Sequence, residues 1–194
     1  MIGISPNGTF GKPATIGGIG TTINAVARNT DSTIDLFGAS TETLAGTKRS
    51  GRVDGVLIKV RGGRIIQVVR STGPQATREW SAVGAGTFLV GTIQSGKVVN
   101  AVATRFTNFK PVWTVRYPST GKVAGLLNSS GAYFAYSMQS GMTLATFSTK
   151  GVAGANYQSQ VPARPISLAY SKELGVTALA EAGNQAVILT PTSG

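Results

Sequence analysis

The sequence predicts an all-β fold, and three observations carry that prediction. Short β-branched runs alternate throughout with clusters of Gly, Ser, Asn and Pro, the pattern of strands and turns. Only "ALAEAGN", Ala178 to Asn184, favours a helix, and Gly183 interrupts it. The turn signals also return at a regular interval, the mark of repeated units.

One set of turns is "NTDS" at Asn29, "GG" at Gly62, "QSG" at Gln94, "SSG" at Ser129 and "KELG" at Lys172. These step by about 33, 32, 35 and 43 residues. A second set keeps the same beat: "PNG" at Pro6, "ASTE" at Ala39, "STGP" at Ser71, "FTN" at Phe106, "QSG" at Gln139 and "AGN" at Ala182. Each unit therefore reads as a three-stranded antiparallel meander, over 21–51, 52–86, 87–121, 122–151 and 165–194. The first gives "INAVAR", "TIDLFGA" and "TLAGTKR"; the second gives "GVLIKV", "RIIQVV" and "ATREWSA". An insertion, "GVAGANYQSQVPARP" over 151–165, accounts for the long last step. Residues 1–20 supply a partial unit with strands "IGIS" and "TFGKPATI", and the whole of 1–194 is expected to form a single all-β domain. Trp80, Trp113, Phe147 and Ile188 recur as bulky third-strand residues, expected to fill the space between neighbouring sheets.

This rhythm resembles that of β-propellers, in which antiparallel meanders pack radially around an axis. The resemblance implies that the N-terminal strands complete the last unit and close the ring, which removes exposed edges. A prism or a two-sheet sandwich built from the same meanders is the alternative.

Composition narrows the chemistry. Only 13% of the 194 residues are charged, against ~25% in ordinary soluble domains. There is no cysteine, so no disulfide, thiolate nucleophile or Cys-ligated zinc is available. There is no histidine either, which removes the commonest general base near neutral pH. With seven acids left, no enzymatic activity, no metal site and no cofactor are expected. The N-terminal "MIGISPNGTFGK" has no basic segment followed by an apolar one, and no apolar run is long enough for a membrane helix. An origin inside the cell and no membrane partner are expected.

Eighteen basic residues against seven acidic ones give a net charge of +11, a field that attracts nucleic acid or an acidic protein face. Much of the excess lies near "KVRGGRIIQVVR", Lys59 to Arg70. A two-residue turn at Gly62-Gly63 uses the positive φ that glycine supplies. It would set Arg61 opposite Arg64, Val60 opposite Ile65 and Ile58 opposite Gln67. Like charges facing each other are unfavourable, so an anion between them is expected. The candidate contacts to an acidic surface or nucleic-acid backbone are Arg49, Arg52, Lys59, Arg61, Arg64, Arg70 and Arg78. Trp80 and Trp113 are candidate aromatic contacts, although core packing accounts for them more simply.

Other motifs fail on context. "GTIQSGKV", Gly91 to Val98, ends in Val98 where a phosphate-binding loop needs Ser or Thr, and it falls between strands. "STGK", Ser119 to Lys122, has the Ser-x-x-Lys spacing of some acyl-transfer enzymes without the helix that makes it work. "NTDSTID", Asn29 to Asp35, lacks the mid-loop Gly and closing acid of a calcium loop and reads as a polar turn.

A chain free of Cys and His, rich in Gly, Ser, Thr and Val and poor in charge resembles structural proteins of phage and virus particles. That resemblance implies a tail, baseplate or capsid-accessory subunit of the virion, contacting copies of itself and neighbouring proteins. The alternatives are a lectin-like ligand-binding repeat module and a sequence-independent nucleic-acid-binding protein.

Overall fold

The computed structural model describes residues 5–84 and 87–191. They form four antiparallel sheets and no helix. Sheet one contains β1 (Thr21–Arg28), β2 (Ile34–Ser40), β3 (Asp54–Arg61) and β4 (Arg64–Ser71). Sheet two contains β5 (Thr77–Gly84), β6 (Phe88–Ser95), β7 (Val98–Thr107) and β8 (Lys110–Pro118). Sheet three contains β9 (Val123–Asn128), β10 (Gly131–Met138), β11 (Gly141–Phe147) and β12 (Ala153–Gln158). Sheet four has three strands, β13 (Arg164–Ser171), β14 (Gly175–Ala182) and β15 (Gln185–Leu189). Within each sheet, successive strands are neighbours.

Most of the expected turns lie where strands or sheets meet, but the grouping of strands differs from the three-stranded units. β3 and β4 belong to sheet one and β5 to sheet two, so the expected unit 52–86 straddles two sheets. "TLAGTKR" is a loop: Ala45 and Gly46 both have positive φ, closing a small turn bridged by Leu44 and Thr47. The segment 151–165 contributes β12, the fourth strand of sheet three. The expected strand "IGIS" covers residues 2–5, of which only Ser5 is described, and no strand forms over "TFGKPATI". Ile16 from that segment instead packs on sheet one, so the N-terminal residues described do not complete sheet four.

Hydrophobic clusters join the sheets. The first strand of each later sheet lies on the preceding sheet: β5 on β1, β2 and β3, β9 on β5 and β6, and β13 on β9, β10 and β11. Phe37 and Leu57 of sheet one meet Trp80, Leu89, Val102 and Phe106 of sheet two. Phe88 and Val90 meet Phe134, Tyr136 and Phe147 of sheet three. Leu144 and Ala135 meet Val176, Ala178 and Ala180 of sheet four. Alternate residues therefore face alternate junctions, as the two-residue period of a strand requires. Trp80 and Trp113 act as fillers from first and fourth strands, whereas Ile188 is 73% exposed and fills nothing.

Sheets one and two share a device absent from the sequence reading. The β1–β2 register shifts between Ile23 and Ala25, and the β5–β6 register between Trp80 and Ala82. Beside each bulge stands a glycine, Gly38 and Gly91. A Cβ there would lie 1.9 Å from the Thr22 and Glu79 carbonyl oxygens, respectively. Gly91→Ala is accordingly expected to cost about 1–3 kcal/mol, the range for overpacking a filled site. Urea denaturation measures it, and an unchanged midpoint would contradict this close approach.

Candidate functional site

The basic hairpin closes as expected, with Gly62 at φ 55° and Gly63 at φ 78°, Arg61 opposite Arg64 and Val60 opposite Ile65. Its register then departs from expectation. A bulge between Lys59 and Val60 puts Lys59, not Ile58, opposite Gln67, and Ile58 faces Val68.

The seven candidate cations divide by where their charge goes. Three turn inward. Lys59 Nζ lies 2.8 Å from Asp35 Oδ1, donates to Thr33 Oγ1 at 3.3 Å, and sits 4.7 Å from the centre of the Phe109 ring. Arg70 pairs through Nη1 with Asp54 Oδ2 at 3.1 Å, and both side chains are buried. Its Nε donates to the Thr47 carbonyl at 3.1 Å and its Nη2 to the Glu42 carbonyl. Arg78 is buried over the Trp80 ring, 4.3 Å from its centre, and donates to Ser71 Oγ at 2.6 Å and Thr104 Oγ1 at 3.4 Å. Burial, with Arg116 nearby, pushes Arg78 down to about 10. Arg70 and Arg78 are therefore not surface contacts, a correction to the sequence reading. An arginine stem covers apolar surface well, and counter-ions or hydroxyls reach its head from other strands.

The other four are exposed. Arg61 Nη2 meets Asp31 Oδ2 at 3.1 Å, so this arginine finds its anion within the chain. Arg49 donates to the Arg52 carbonyl at 3.4 Å, and Arg52 Nε to Gln75 Oε1 at 3.3 Å. Arg64 projects opposite Arg61, and none of Arg49, Arg52 and Arg64 forms an ion pair among the described residues. The acids that hold the inward cations, Asp35 and Asp54, escape the sequence reading. The available signal is that Asp35 lies on the strand before the basic hairpin and Asp54 at the start of the hairpin's own first strand, β3.

"NTDSTID" forms the expected polar turn. Asp31 Oδ1 accepts from the Thr33 N–H at 3.1 Å and the Thr33 hydroxyl at 2.5 Å. These bonds, then Arg61 and Lys59, hold the Asp31 carboxyl below its ordinary 3.8. Glu42 is likewise held below its ordinary 4.5, first by the Thr21 hydroxyl, then by backbone N–H groups of Gly18 and Gly20. A carboxylate whose folded value is depressed stabilises the fold above its unfolded value and loses that effect as pH falls through the folded one. Thermal stability is therefore expected to decline as pH is lowered from 5 towards 3, about the unperturbed carboxylate range. Thr21→Val should flatten part of that decline; a melting temperature with the same pH dependence in the variant would refute the coupling.

Neither tryptophan offers a free face. Trp80 is fully buried. Trp113 lies between Phe88 and Phe147, each ring centre 5.6 Å away, and its Nε1 donates to the Thr149 carbonyl at 3.3 Å. Equivalent tryptophan pockets, expected of a ligand-binding repeat module, are thus not formed. The described residues form several other openings, two of which adjoin features already named. One, of about 310 Å³, is lined by Asn29, Asp35, Lys59, Gln67, Asn108 and Phe109. The other, of about 810 Å³, lies where sheet four lacks a fourth strand to face β12, between Leu144, Tyr157 and Leu189. Among the described residues no group of three His, Cys, Asp or Glu side chains is placed to hold a metal ion, and no helix is long and apolar enough to cross a membrane.

No family model matches the sequence, and a search of curated proteins found no match. Among solved structures, a protein of unknown function from Bacteroides caccae is similar in part, at 12% identity over 71% of this chain and 54% of its own, with a TM-score of 0.40.

Proposed function

We propose that this chain is a non-enzymatic structural subunit of a phage or virus particle, acting through protein–protein contacts, and that its four sheets are propeller-like blades. The observation that supports this best is the stacking itself: the first strand of each later sheet lies on the sheet before it, and every junction is filled by buried hydrophobic residues. Such packing gives a stiff body, and the inward Lys59, Arg70 and Arg78 tie loops and strands to it instead of waiting for a ligand. Assignment to a virion rests on the composition, which suits a part covered by neighbours. Mass spectrometry of gradient-purified particles from a host carrying the gene tests it. The chain is expected in the particle band at fixed stoichiometry after a salt wash, and confinement to the soluble lysate would overturn the reading.

A second reading has its own observation, the exposed Arg49, Arg52 and Arg64, which have no carboxylate partners among the described residues of a chain of net charge +11. They suit the backbone of a nucleic acid at the particle interior. Replacing all three by alanine should lower the salt dependence of binding to DNA, by about 0.9 in the log–log slope for each phosphate no longer neutralised. An absence of binding to single- and double-stranded DNA at low salt would eliminate it.

A further inference from the structure

We propose that the opening between the β1–β2 turn, the basic hairpin and the β7–β8 turn is a binding site for a neutral sugar. Its volume, about 310 Å³, lies at the small end of the ~300–1,000 Å³ range of ligand sites. Register builds it. Asp35 of β2 faces Lys59 of β3, and Lys59 faces Gln67 of β4, so the three form one row across sheet one. Leu57, on the same face of β3, belongs to the hydrophobic junction with sheet two. The row is thus the polar end of a dry junction. Two turns frame the opening there. Asn29 comes from the β1–β2 turn, and Asn108 and Phe109 are the central residues of the β7–β8 turn, at φ 49° and 63°. Such a turn needs positive φ at both positions and favours glycine at the second. Phe109 carries a ring there against that preference, and strain of this kind gathers at functional sites. The ring packs on the junction, with Lys59 Nζ 4.7 Å from its centre, and with Leu57 and Phe106 it gives the opening an apolar wall.

Charge and hydrogen-bonding capacity identify the ligand. Lys59 and Asp35 neutralise each other at 2.8 Å, so neither a cation nor an anion meets an uncompensated partner here. Lys59 stays with its carboxylate and holds the row in place. What the ligand meets is unspent polar capacity. Asp35 is 4% exposed, yet only its Oδ1 takes a hydrogen bond among the described residues, which leaves Oδ2 as an acceptor. Asn29 Nδ2 donates to Thr33 Oγ1 at 3.0 Å, and its Oδ1 accepts nothing among the described residues. The side-chain amides of Gln67 and Asn108, both exposed, make no hydrogen bond among those residues. An amide both donates and accepts, as a hydroxyl does, whereas a carboxylate only accepts. Donors and acceptors mixed beside an apolar wall suit a ring with hydroxyls on its rim and C–H groups on its faces, which is a sugar. A phosphate needs donors alone, and Arg49, Arg52 and Arg64 supply those elsewhere.

Chemical-shift mapping on the full chain tests this, with glucose, galactose, mannose, fucose, xylose and N-acetylglucosamine each added to about 100 mM, enough to fill a weak site. At least one should shift the backbone amides of Asn29, Gln67, Asn108 and Phe109 along a saturable curve. Gln67→Ala and Asn108→Gly should each weaken that binding about 3–10-fold, the worth of one hydrogen bond. Both positions accept the change, since Gln67 is exposed and glycine suits the positive φ at 108. Phe109→Gly should remove saturable binding, while unmoved resonances from sheets three and four show that the variant folds. Gln94→Ala, at the exposed end of β6, should bind like the parent. Sodium sulfate, compared with sodium chloride of equal ionic strength, should leave the four amides where they are. Saturable shifts there with sulfate, none with any of the six sugars, or full affinity in both Gln67→Ala and Asn108→Gly would each overturn the proposal. None of these results bears on whether the chain is found in particles.

Discussion

Asp54→Ala is expected to destabilise the protein by about 3–5 kcal/mol, the cost of stripping one partner from a buried ion pair. The Asp54 carboxylate is fully buried and fully used. It accepts from the Ser50 N–H at 2.9 Å, the Gly51 N–H at 2.8 Å and Arg70 Nη1 at 3.1 Å. Arg70 in turn holds the carbonyls of Glu42 and Thr47. The loop over 41–53 is thus fastened at several points to the pair formed by Asp54 of β3 and Arg70 of β4. That loop carries Leu44, 3% exposed, which seals the outer face of sheet one. Losing the carboxylate leaves a buried guanidinium without its counter-ion and frees the cover together. The double change Asp54→Leu with Arg70→Met should recover part of the loss, since it removes both charges, although the Ser50 and Gly51 N–H groups stay unpaired. Urea denaturation gives the energy, and limited proteolysis reports the loop. A single variant within 1 kcal/mol of the parent, about the worth of an exposed pair, would mean that the pair does not form.

The contrast between Asp54 and the turns explains what the sequence can reveal. Gly62-Gly63 announces its hairpin because positive φ is a local requirement, readable from two residues. The same holds for "QSG" at Gln94, whose Gly96 lies at φ 59° between β6 and β7, whereas "SSG" at Ser129 joins β9 to β10 with neither Ser129 nor Ser130 in the left-handed region. Where one sheet ends and the next begins is not local. A continuous meander advances by similar strand-and-turn steps, so three steps make as regular a beat as four. The sheets start at Thr21, Thr77, Val123 and Arg164, intervals of about 40 to 55 residues, closer to the ~40–45 of four-stranded blades than to 33. The breaks fall in "TGPQA", "STGK" and "SQVPA", connectors that carry the strand to a new sheet. Two contain proline, which cannot donate to a ladder. That is a usable signal, submerged under the glycine count.

The basic run misleads for a related reason. Charge is visible in a sequence, but its solvation is not. Lys59 and Arg70 carry the same formal charge as Arg64, yet they stand beside Asp35 and Asp54 on neighbouring strands, and only the pairing of β2 with β3 and β3 with β4 brings them together. The bulge at Lys59 shows the same dependence. One extra residue on β4 moves the partner facing Gln67 from Ile58 to Lys59, while the regular β2–β3 register sets Lys59 opposite Asp35, where its ammonium also reaches the ring of Phe109.

Trp80→Ala should cost about 3–5 kcal/mol, the range for emptying a buried aromatic site, and Trp80→Phe much less. The indole lies between sheets one and two, fully buried, in edge-on contact with Phe106 at 6.0 Å. Its Nε1 is buried with no hydrogen-bond partner, so replacing it with a phenyl ring orphans nothing and removes an unsatisfied donor. Alanine would do more than open a cavity. Arg78 rests on the indole face, has no carboxylate partner among the described residues, and depends on that ring and two hydroxyls for its buried charge. The cavity would therefore be lined on one side by a guanidinium, and water entering to solvate it would part β5 from β3. Denaturation followed through Trp113, which remains in both variants at the junction of sheets two and three, distinguishes the two replacements. Equal losses for alanine and phenylalanine would mean that the indole N–H is bonded and the ring's volume is secondary, reversing the roles assigned to Trp80 and Arg78 at this junction.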